Sequence, residues 1–242
     1  MRGLGGAELH GMLFGMLKKL DAGAAVRLHE GVDKPFALEP PQGQWDRQGA
    51  FSLCRAGEQY SFSISCLNEE MVELVGRLAQ AWSGRTVRLG TGVFTGTKAV
   101  EEHPGGVSYR NILDKPALSR DFTLEFYTPT SFRQKGTQIL FPLPERVFGS
   151  LLHRWNAFSP LQLFDGVDFS AVRVKKYALH TSMVHFEKYM IAGFMGRCTY
   201  ILPAKYAEYM ALQVHALTRF AGFASVGYKV TMGLGCTKPV IK

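Results

Sequence analysis

The chain is short of cysteine, of acidic residues relative to basic ones, and of long apolar runs, and each shortage narrows what it can be. Its four cysteines (Cys54, Cys66, Cys198, Cys236) stand far apart, without a C-x-x-C pair. Buried free thiols are therefore expected rather than a zinc site or a disulfide framework. No stretch approaches the roughly 18 to 20 apolar residues of a membrane span, and the first six residues (MRGLGG) hold no apolar signal core. A cytoplasmic protein without a membrane partner is expected. There is no P-loop, and no G-x-G-x-x-G follows a strand-like run, so nucleotide cofactors are disfavoured. No metal and no cofactor are expected. Acids number 20 against 28 lysines and arginines, a net charge of +8 that leans toward phosphate-bearing partners. With 46% hydrophobic and 20% charged residues in 242, disorder is excluded, and there is material for one large domain or two of about 120 residues each.

Periodicity supplies the elements. From Glu8 to Leu20, Leu9, Met12, Leu13, Met16, Leu17 and Leu20 recur at three- and four-residue steps, the stripe of an amphipathic helix with His10, Lys18 and Lys19 on its other face. A further helical turn at Ala24–Leu28 runs into the prolines at 35, 40 and 41, and His29 falls at that break. The runs Ala50–Cys54 and Gln59–Cys66 read as a hairpin across Ala56, Gly57 and Glu58, followed by a helix from Glu69 to Trp82 and a glycine-broken strand at Thr86–Thr97. The order then restarts: a strand at Asp121–Thr128, a helix at Pro144–Trp155, strands at Val172–Phe186 and Tyr189–Leu202, a helix at Ala204–Phe220 and a strand at Thr237–Ile241. The second half thus reads β-α-β-β-α-β, and the first half the same without its opening strand. The expected fold class is α+β, two tandem ferredoxin-like domains at 1–117 and 118–242, the first lacking its opening strand.

The densest chemical signal is Gly227-Tyr-Lys-Val-Thr-Met-Gly233-Leu-Gly235. Its glycines permit positive φ and close approach of backbone N–H groups to an anion, with Lys229 beside them. The other reading is an ordinary glycine-rich turn between a helix and the last strand.

Four segments in order decide between the two. The C-terminal stretch just given, TPTSFRQKGTQILFPLP at 128–144, AGFMGRCTY at 192–200, and Leu28-His29-Glu30 followed by Lys34-Pro35-Phe36 together resemble the CRISPR-associated endoribonucleases that process precursor CRISPR RNA, over nearly all 242 residues. The resemblance implies two ferredoxin-like domains and a metal-independent cut within the repeat. In such a cut the 2′-OH attacks the adjacent phosphorus and leaves a 2′,3′-cyclic phosphate and a 5′-OH, and the 3′ hairpin of the processed RNA stays bound. Such chemistry needs a group of near-neutral pKa and fixed positive charge on the phosphoryl oxygens. The matching flanks make His29 the catalytic candidate, with Lys34 as electrostatic partner. Some members have an assisting tyrosine on the first helix. The matching position here is Phe14, which has no hydroxyl; His10, one turn earlier, is a substitute candidate.

Basic residues supply the expected RNA footprint: Arg133 and Lys135 on a loop, Arg146 and Arg154 on the following helix, Arg173, Lys175 and Lys176 on a long strand, and Gly227, Lys229, Gly233 and Gly235 in the loop. Phe132 could stack on a base or sit in the core. The expected partners are CRISPR repeat RNA and other subunits of a CRISPR effector complex, with the oligomeric state open. The rival reading is a catalytically inactive subunit that grips repeat RNA. Phe14 and the missing strand favour that rival, and His29 opposes it.

Overall fold

The computed structural model describes residues 1–114 and 119–240. The expected boundary at 117/118 and the strand end at Ile241 lie outside them. The chain divides into two compact units. One comprises Met1–Pro104 with Val184–Ile191 and Thr231–Gly233, the other Gly105–Met183, Ala192–Val230 and Leu234–Lys242.

In the first unit, helices α1 (Gly6–Leu20) and α2 (Ala22–Glu30) are joined by one residue, Asp21. Asp21 is extended, ends α1, and caps α2 by accepting from the Ala24 N–H at 2.9 Å. A short side-chain acceptor at that point lets the chain reverse without orphaning the new helix's first donors. Leu9, Leu13, Met16 and Leu17 of α1 and Ala24, Ala25 and Leu28 of α2 are buried in one core. Strands β1 (Phe36–Leu38), β2 (Trp45–Gln48), β3 (Phe51–Cys54) and β4 (Ile64–Cys66) follow. Then come α3 (Glu69–Gln80), capped by the Asn68 side chain, and β5 (Thr86–Leu89) with β6 (Gly92–Thr95).

The pairing corrects the expected hairpin. β3 pairs with β2 across the turn at Gly49 (φ 57°), and β4 pairs antiparallel with β1, Phe36 opposite Cys66. Both Gly49 and Gly57 are left-handed, so both turns were available. All three β1 residues are buried, and packing chooses β1 as the partner of β4. The glycine-broken strand expected at Thr86–Thr97 is the β5–β6 hairpin, turning at Gly90 (φ 60°). Ahead of α1 the only pairing among the described residues is an isolated antiparallel bridge, Arg2 to Phe51 of β3.

The second unit carries α4 (Tyr109–Leu113), β7 (Asp121–Thr130), β8 (Phe132–Gln134), β9 (Thr137–Ile139) and α5 (Pro144–Phe158). β10 (Arg173–His185), β11 (Met190–Ile201), α6 (Glu208–Ala224) and β12 (Thr237–Pro239) complete it. Four strands form one sheet in the order β10-β11-β7-β12, and β11 and β12 both lie antiparallel to β7. With β7, α5, β10, β11, α6 and β12 as the β-α-β-β-α-β series, this is the ferredoxin-like order. Phe122, Leu124 and Phe126 alternate along β7 onto the buried face. Phe122 and its cross-strand partner Tyr200 meet His215 of α6 and Phe148 of α5 respectively, at ring distances of 4.6 and 5.2 Å, so both helices cover that one face. The opposite face carries the Thr123–Thr199 hydroxyl pair at 2.9 Å and Glu125, which is held by Arg197 at 3.0 Å and Lys238 at 3.7 Å. β8 and β9 form a separate hairpin between β7 and α5.

Cys198 and Cys236 are buried, Cys66 is half-buried and Cys54 exposed, all of them free. Burial pushes the Cys66 thiol up to about 12 and the Cys198 thiol up to about 11, so both stay protonated and unreactive. Among the described residues no helix is long and apolar enough to cross a membrane.

Candidate active site

α2 runs two residues past the expected break, which places the exposed His29 in its last turn. Carbonyl groups at a helix end lack intrahelical partners and favour positive charge. Lys34 supplies that charge: its ammonium donates to the Gly31 carbonyl at 2.9 Å and to the His29 carbonyl at 3.2 Å. The two residues assigned to catalysis are thus brought together, joined through the backbone of His29 itself. Pro35 then ends the turn, and the chain enters β1.

Phe14, on α1, meets the His29 ring edge-on at 5.6 Å between centroids. Leu13 and Leu17 face the core from the same helix, which leaves His10 and Phe14, four residues apart, half-buried on an adjoining face. Their rings lie 4.7 Å apart, and each is 6.1 Å from Phe36 of β1. His10 Nδ1 lies 2.9 Å from the carbonyl oxygen of Thr231, in the glycine-rich loop. A carbonyl can only accept, so Nδ1 is the donor in this bond. The residues are 221 positions apart in sequence, and periodicity has no means of finding such a pair.

The loop at 227–235 is built by its glycines against the protein itself. Gly227, Gly233 and Gly235 have φ of 88, 78 and 72°, and Lys229 is left-handed too, at 59°. A Cβ on Gly227 would lie 2.5 Å from the Ser131 carbonyl oxygen, and one on Gly235 would lie 1.9 Å from that of Val226. Gly233 and Gly235 are buried, which corrects the expectation that these two offer backbone to RNA; the close approach they permit is to Pro40 and Val226. What the loop presents outward is Tyr228 and Lys229, both half-buried. The Lys229 ammonium lies 5.2 Å from the Tyr228 ring centroid, and the Arg133 guanidinium of β8 lies 5.8 Å from it and 3.4 Å from the phenol oxygen. Tyr228 stands inside the glycine motif, and nothing in the sequence singles it out as the ring on which these two cations meet.

Lys135 (φ 47°) and Gly136 (φ 84°) form the exposed tip of the β8–β9 hairpin. Arg146 is half-buried in the first turn of α5, and Arg173, Lys175 and Lys176 are exposed on β10, Lys175 paired with Asp121 at 2.5 Å. Arg154 is a correction. It is buried, with its guanidinium 5.6 Å from the Phe158 ring, and belongs to the core of its unit rather than to a surface that could meet RNA. Phe132 is likewise a core residue, 6.2 Å from Phe194. Among the described residues no three or more His, Cys, Asp or Glu side chains are grouped to hold a metal ion.

The sequence model of the CRISPR-associated endoribonuclease Cas6 family matches residues 124–237. Over nearly its whole length the chain is 31% identical to a Cas6 solved as a substrate mimic complex, with TM-score 0.72 and coverage of 97% of this chain and 92% of that one. The chain belongs to the Cas6 family. The same Cas6 solved as a product complex aligns at TM-score 0.79 and 29% identity, over 99% of this chain and 94% of that one. The CRISPR-associated endoribonuclease Cas6 of Mycobacterium tuberculosis is 26% identical over an alignment of 242 positions that covers 96% of this chain and 71% of the relative. That of Streptococcus thermophilus is 22% identical, covering 96% and 89%. Both the family and the tandem ferredoxin-like fold expected from the four segments are therefore those found, and the relatives are named as CRISPR-associated endoribonucleases.

Proposed function

We propose that this Cas6-family chain cuts precursor CRISPR RNA within its repeats by attack of the ribose 2′-OH on the adjacent phosphorus, leaving a 2′,3′-cyclic phosphate and a 5′-OH. The observation that carries the reading is the end of α2, where an exposed imidazole and an ammonium share one turn. His29 transfers the proton. Lys34, with two of its three N–H donors on carbonyl groups, keeps one for a phosphoryl oxygen. Because the nucleophile belongs to the RNA itself, no metal-bound water is required, and the reaction is metal-independent.

Arg133, Tyr228 and Lys229 form the strongest RNA-contact candidate, an aromatic face flanked by two cations, with Lys135, Arg146, Arg173 and Lys175 adding phosphate contacts. The processed RNA's 3′ hairpin stays on these residues. Single-turnover cleavage of repeat RNA in EDTA tests the reading. His29→Ala is expected to slow it by about 10²-fold or more, the range of a lost general acid or base, with RNA affinity unchanged. Wild-type cleavage by that variant, or strict dependence on a divalent ion, overturns it. The apolar Phe14 favours a second reading, a binding subunit without activity; tight repeat binding with no cleavage by the unmodified protein would establish that one.

A further inference from the structure

We propose that Phe164, Tyr209 and Leu212, on the α5–α6 side of the second unit, form a docking surface for a protein segment whose apolar face is flanked by lysines and arginines. The proposal is independent of the cleavage chemistry and concerns a side of the unit that the chemistry leaves unused. Phe164 is 60% exposed, Tyr209 61% and Leu212 42%. The Gln213 amide of α6 donates to the Phe164 carbonyl at 2.7 Å. Tyr209 stands one helical turn before Gln213, and Leu212 stands beside it, so the three apolar side chains gather around that bond. Exposed rings and a leucine grouped in this way mark an interaction surface.

The segment that carries Phe164 is tied down by side chains. Asn156 of α5 accepts from the Leu163 N–H at 2.8 Å and donates to the Leu163 carbonyl at 3.0 Å, and the Trp155 indole N–H donates to the Leu161 carbonyl at 2.6 Å. Gln162 donates to the Asn156 and Ser159 carbonyls at 3.1 and 2.9 Å. The end of the Phe164 ring rests on Gly166, where a Cβ would lie 2.6 Å from it. A ring held in place before its partner arrives loses little freedom on binding. Charge selects the occupant. In a chain of net charge +8, residues 155–172 hold Asp165 and Asp168 but no lysine or arginine, and residues 206–218 hold Glu208 but no lysine or arginine. All three acids are exposed. Lys205, just before α6, lies over the Tyr206 ring at 5.2 Å. Such a rim repels an RNA backbone, and two copies meeting symmetrically through it would set acid against acid. A basic amphipathic segment satisfies both the apolar centre and the acidic rim.

Fluorescence anisotropy of the full chain with two labelled peptides of about five helical turns tests this, one with leucines on one face and lysines on the other, the second with glutamates in place of the lysines. Net charge alone favours the acidic peptide, so the proposal predicts the opposite order. The basic peptide is expected to bind about tenfold or more tightly than the acidic one. Phe164→Ser combined with Tyr209→Ser should weaken it by about tenfold or more, the range of lost aromatic anchors. Asp165→Asn combined with Glu208→Gln should weaken it several-fold and flatten its salt dependence. Repeat-RNA affinity and cleavage should be unchanged in both double variants. The proposal is overturned if the wild-type chain does not bind the basic peptide, if the acidic peptide binds as tightly, or if Phe164→Ser with Tyr209→Ser leaves basic-peptide affinity intact. A wild-type dimer in sedimentation equilibrium that these two changes convert to monomer would make a second copy the occupant and overturn it too, and loss of repeat-RNA affinity would return the patch to the RNA surface. Circular dichroism confirms that the variants are folded, and Phe164→Ser alone replaces the pair should the double variant not fold.

Discussion

Gly136, Gly233 and Gly235 share a left-handed backbone, with φ of 84, 78 and 72°, and differ in what surrounds them. A Cβ on Gly136 would meet nothing within 4 Å, one on Gly233 would lie 3.2 Å from the ring of Pro40, and one on Gly235 would lie 1.9 Å from the Val226 carbonyl oxygen. An alanine in this region costs about 1–2 kcal/mol in backbone strain, offset by about 0.4–1 kcal/mol because the unfolded chain is stiffened. Both effects are common to the three sites, so Gly136→Ala should lose about 1 kcal/mol or less of stability. At Gly233 the Pro40 ring must give by a few tenths of an ångström, which adds a fraction of a kcal/mol to about 1 kcal/mol. At Gly235 the obstacle is backbone, and more than an ångström of movement is needed. That movement parts Val226 N–H from the Gly235 carbonyl (2.8 Å) and Gly235 N–H from the Pro129 carbonyl (3.1 Å). Each buried group left without a partner costs about 1–3 kcal/mol, so Gly235→Ala should lose roughly 3–5 kcal/mol in all. Urea denaturation of the three alanine variants, followed by ellipticity, gives the series directly. Equal losses at all three sites, or a Gly235→Ala loss within about 1 kcal/mol of Gly136→Ala, would refute the claim that the loop is shaped by contact with its own chain.

Lys34→Met removes the charge that caps α2, and is expected to cost about 0.5–1 kcal/mol of stability and at least about tenfold in single-turnover cleavage with unchanged RNA affinity; unchanged cleavage would leave Lys34 a helix cap alone. Tyr228→Ala should weaken repeat-RNA binding by about 1–3 kcal/mol without changing its salt dependence, whereas Lys229→Ala should make the salt slope shallower by about one unit at most, and isotherms at several salt concentrations separate the two. Burial lowers the affinity of His215 for a proton below its ordinary value of 6.5, more than its bond to the Ser119 carbonyl raises it. The unfolded chain therefore binds the extra proton first, and stability falls as pH drops below about 6.5, levelling off once the folded state is protonated as well. His215→Gln should flatten the stability profile in that window; an unaltered profile would assign the acid sensitivity to other groups.

The four-stranded sheet of the second unit and its helices α5 and α6 were legible because each carries one signal, whereas α4 and the β8–β9 hairpin, where a loop was expected around Arg133 and Lys135, were not. β7 alternates Phe122, Leu124 and Phe126 with polar neighbours, and α5 and α6 begin and end within a few residues of their apolar stripes. The first unit was less so. β2 reads Trp-Asp-Arg-Gln and is largely exposed, so nothing in its pattern announces a strand, and the visible neighbour of β3 was the wrong one. Arg154 shows a related limit: residue type predicts a surface cation, but the side chain folds over Phe158 beside the buried Trp155. His29 and Lys34 were found through the flanking residues of a family resemblance. Their joint attachment to the end of α2 depends on a side-chain bond that no spacing rule specifies.

The glycine-rich loop shows where composition stops being informative. Glycine is demanded equally by an RNA backbone pressing on the loop and by the protein's own backbone pressing on it, so the string of glycines is the same in both cases. The neighbouring atoms tell the cases apart, and at Gly227, Gly233 and Gly235 they belong to Ser131, Pro40 and Val226. Recognition of an anionic chain then has to come from what the glycines hold in place. Lys229 and Tyr228 fit that role, since the loop's turn sets the ammonium over the phenol ring and brings both beside Arg133. It follows that Gly233→Ala, the milder of the two loop substitutions, should lower stability while its folded fraction binds repeat RNA as tightly as wild type. A folded Gly233→Ala protein with affinity reduced tenfold would return the RNA contact to the glycine backbone.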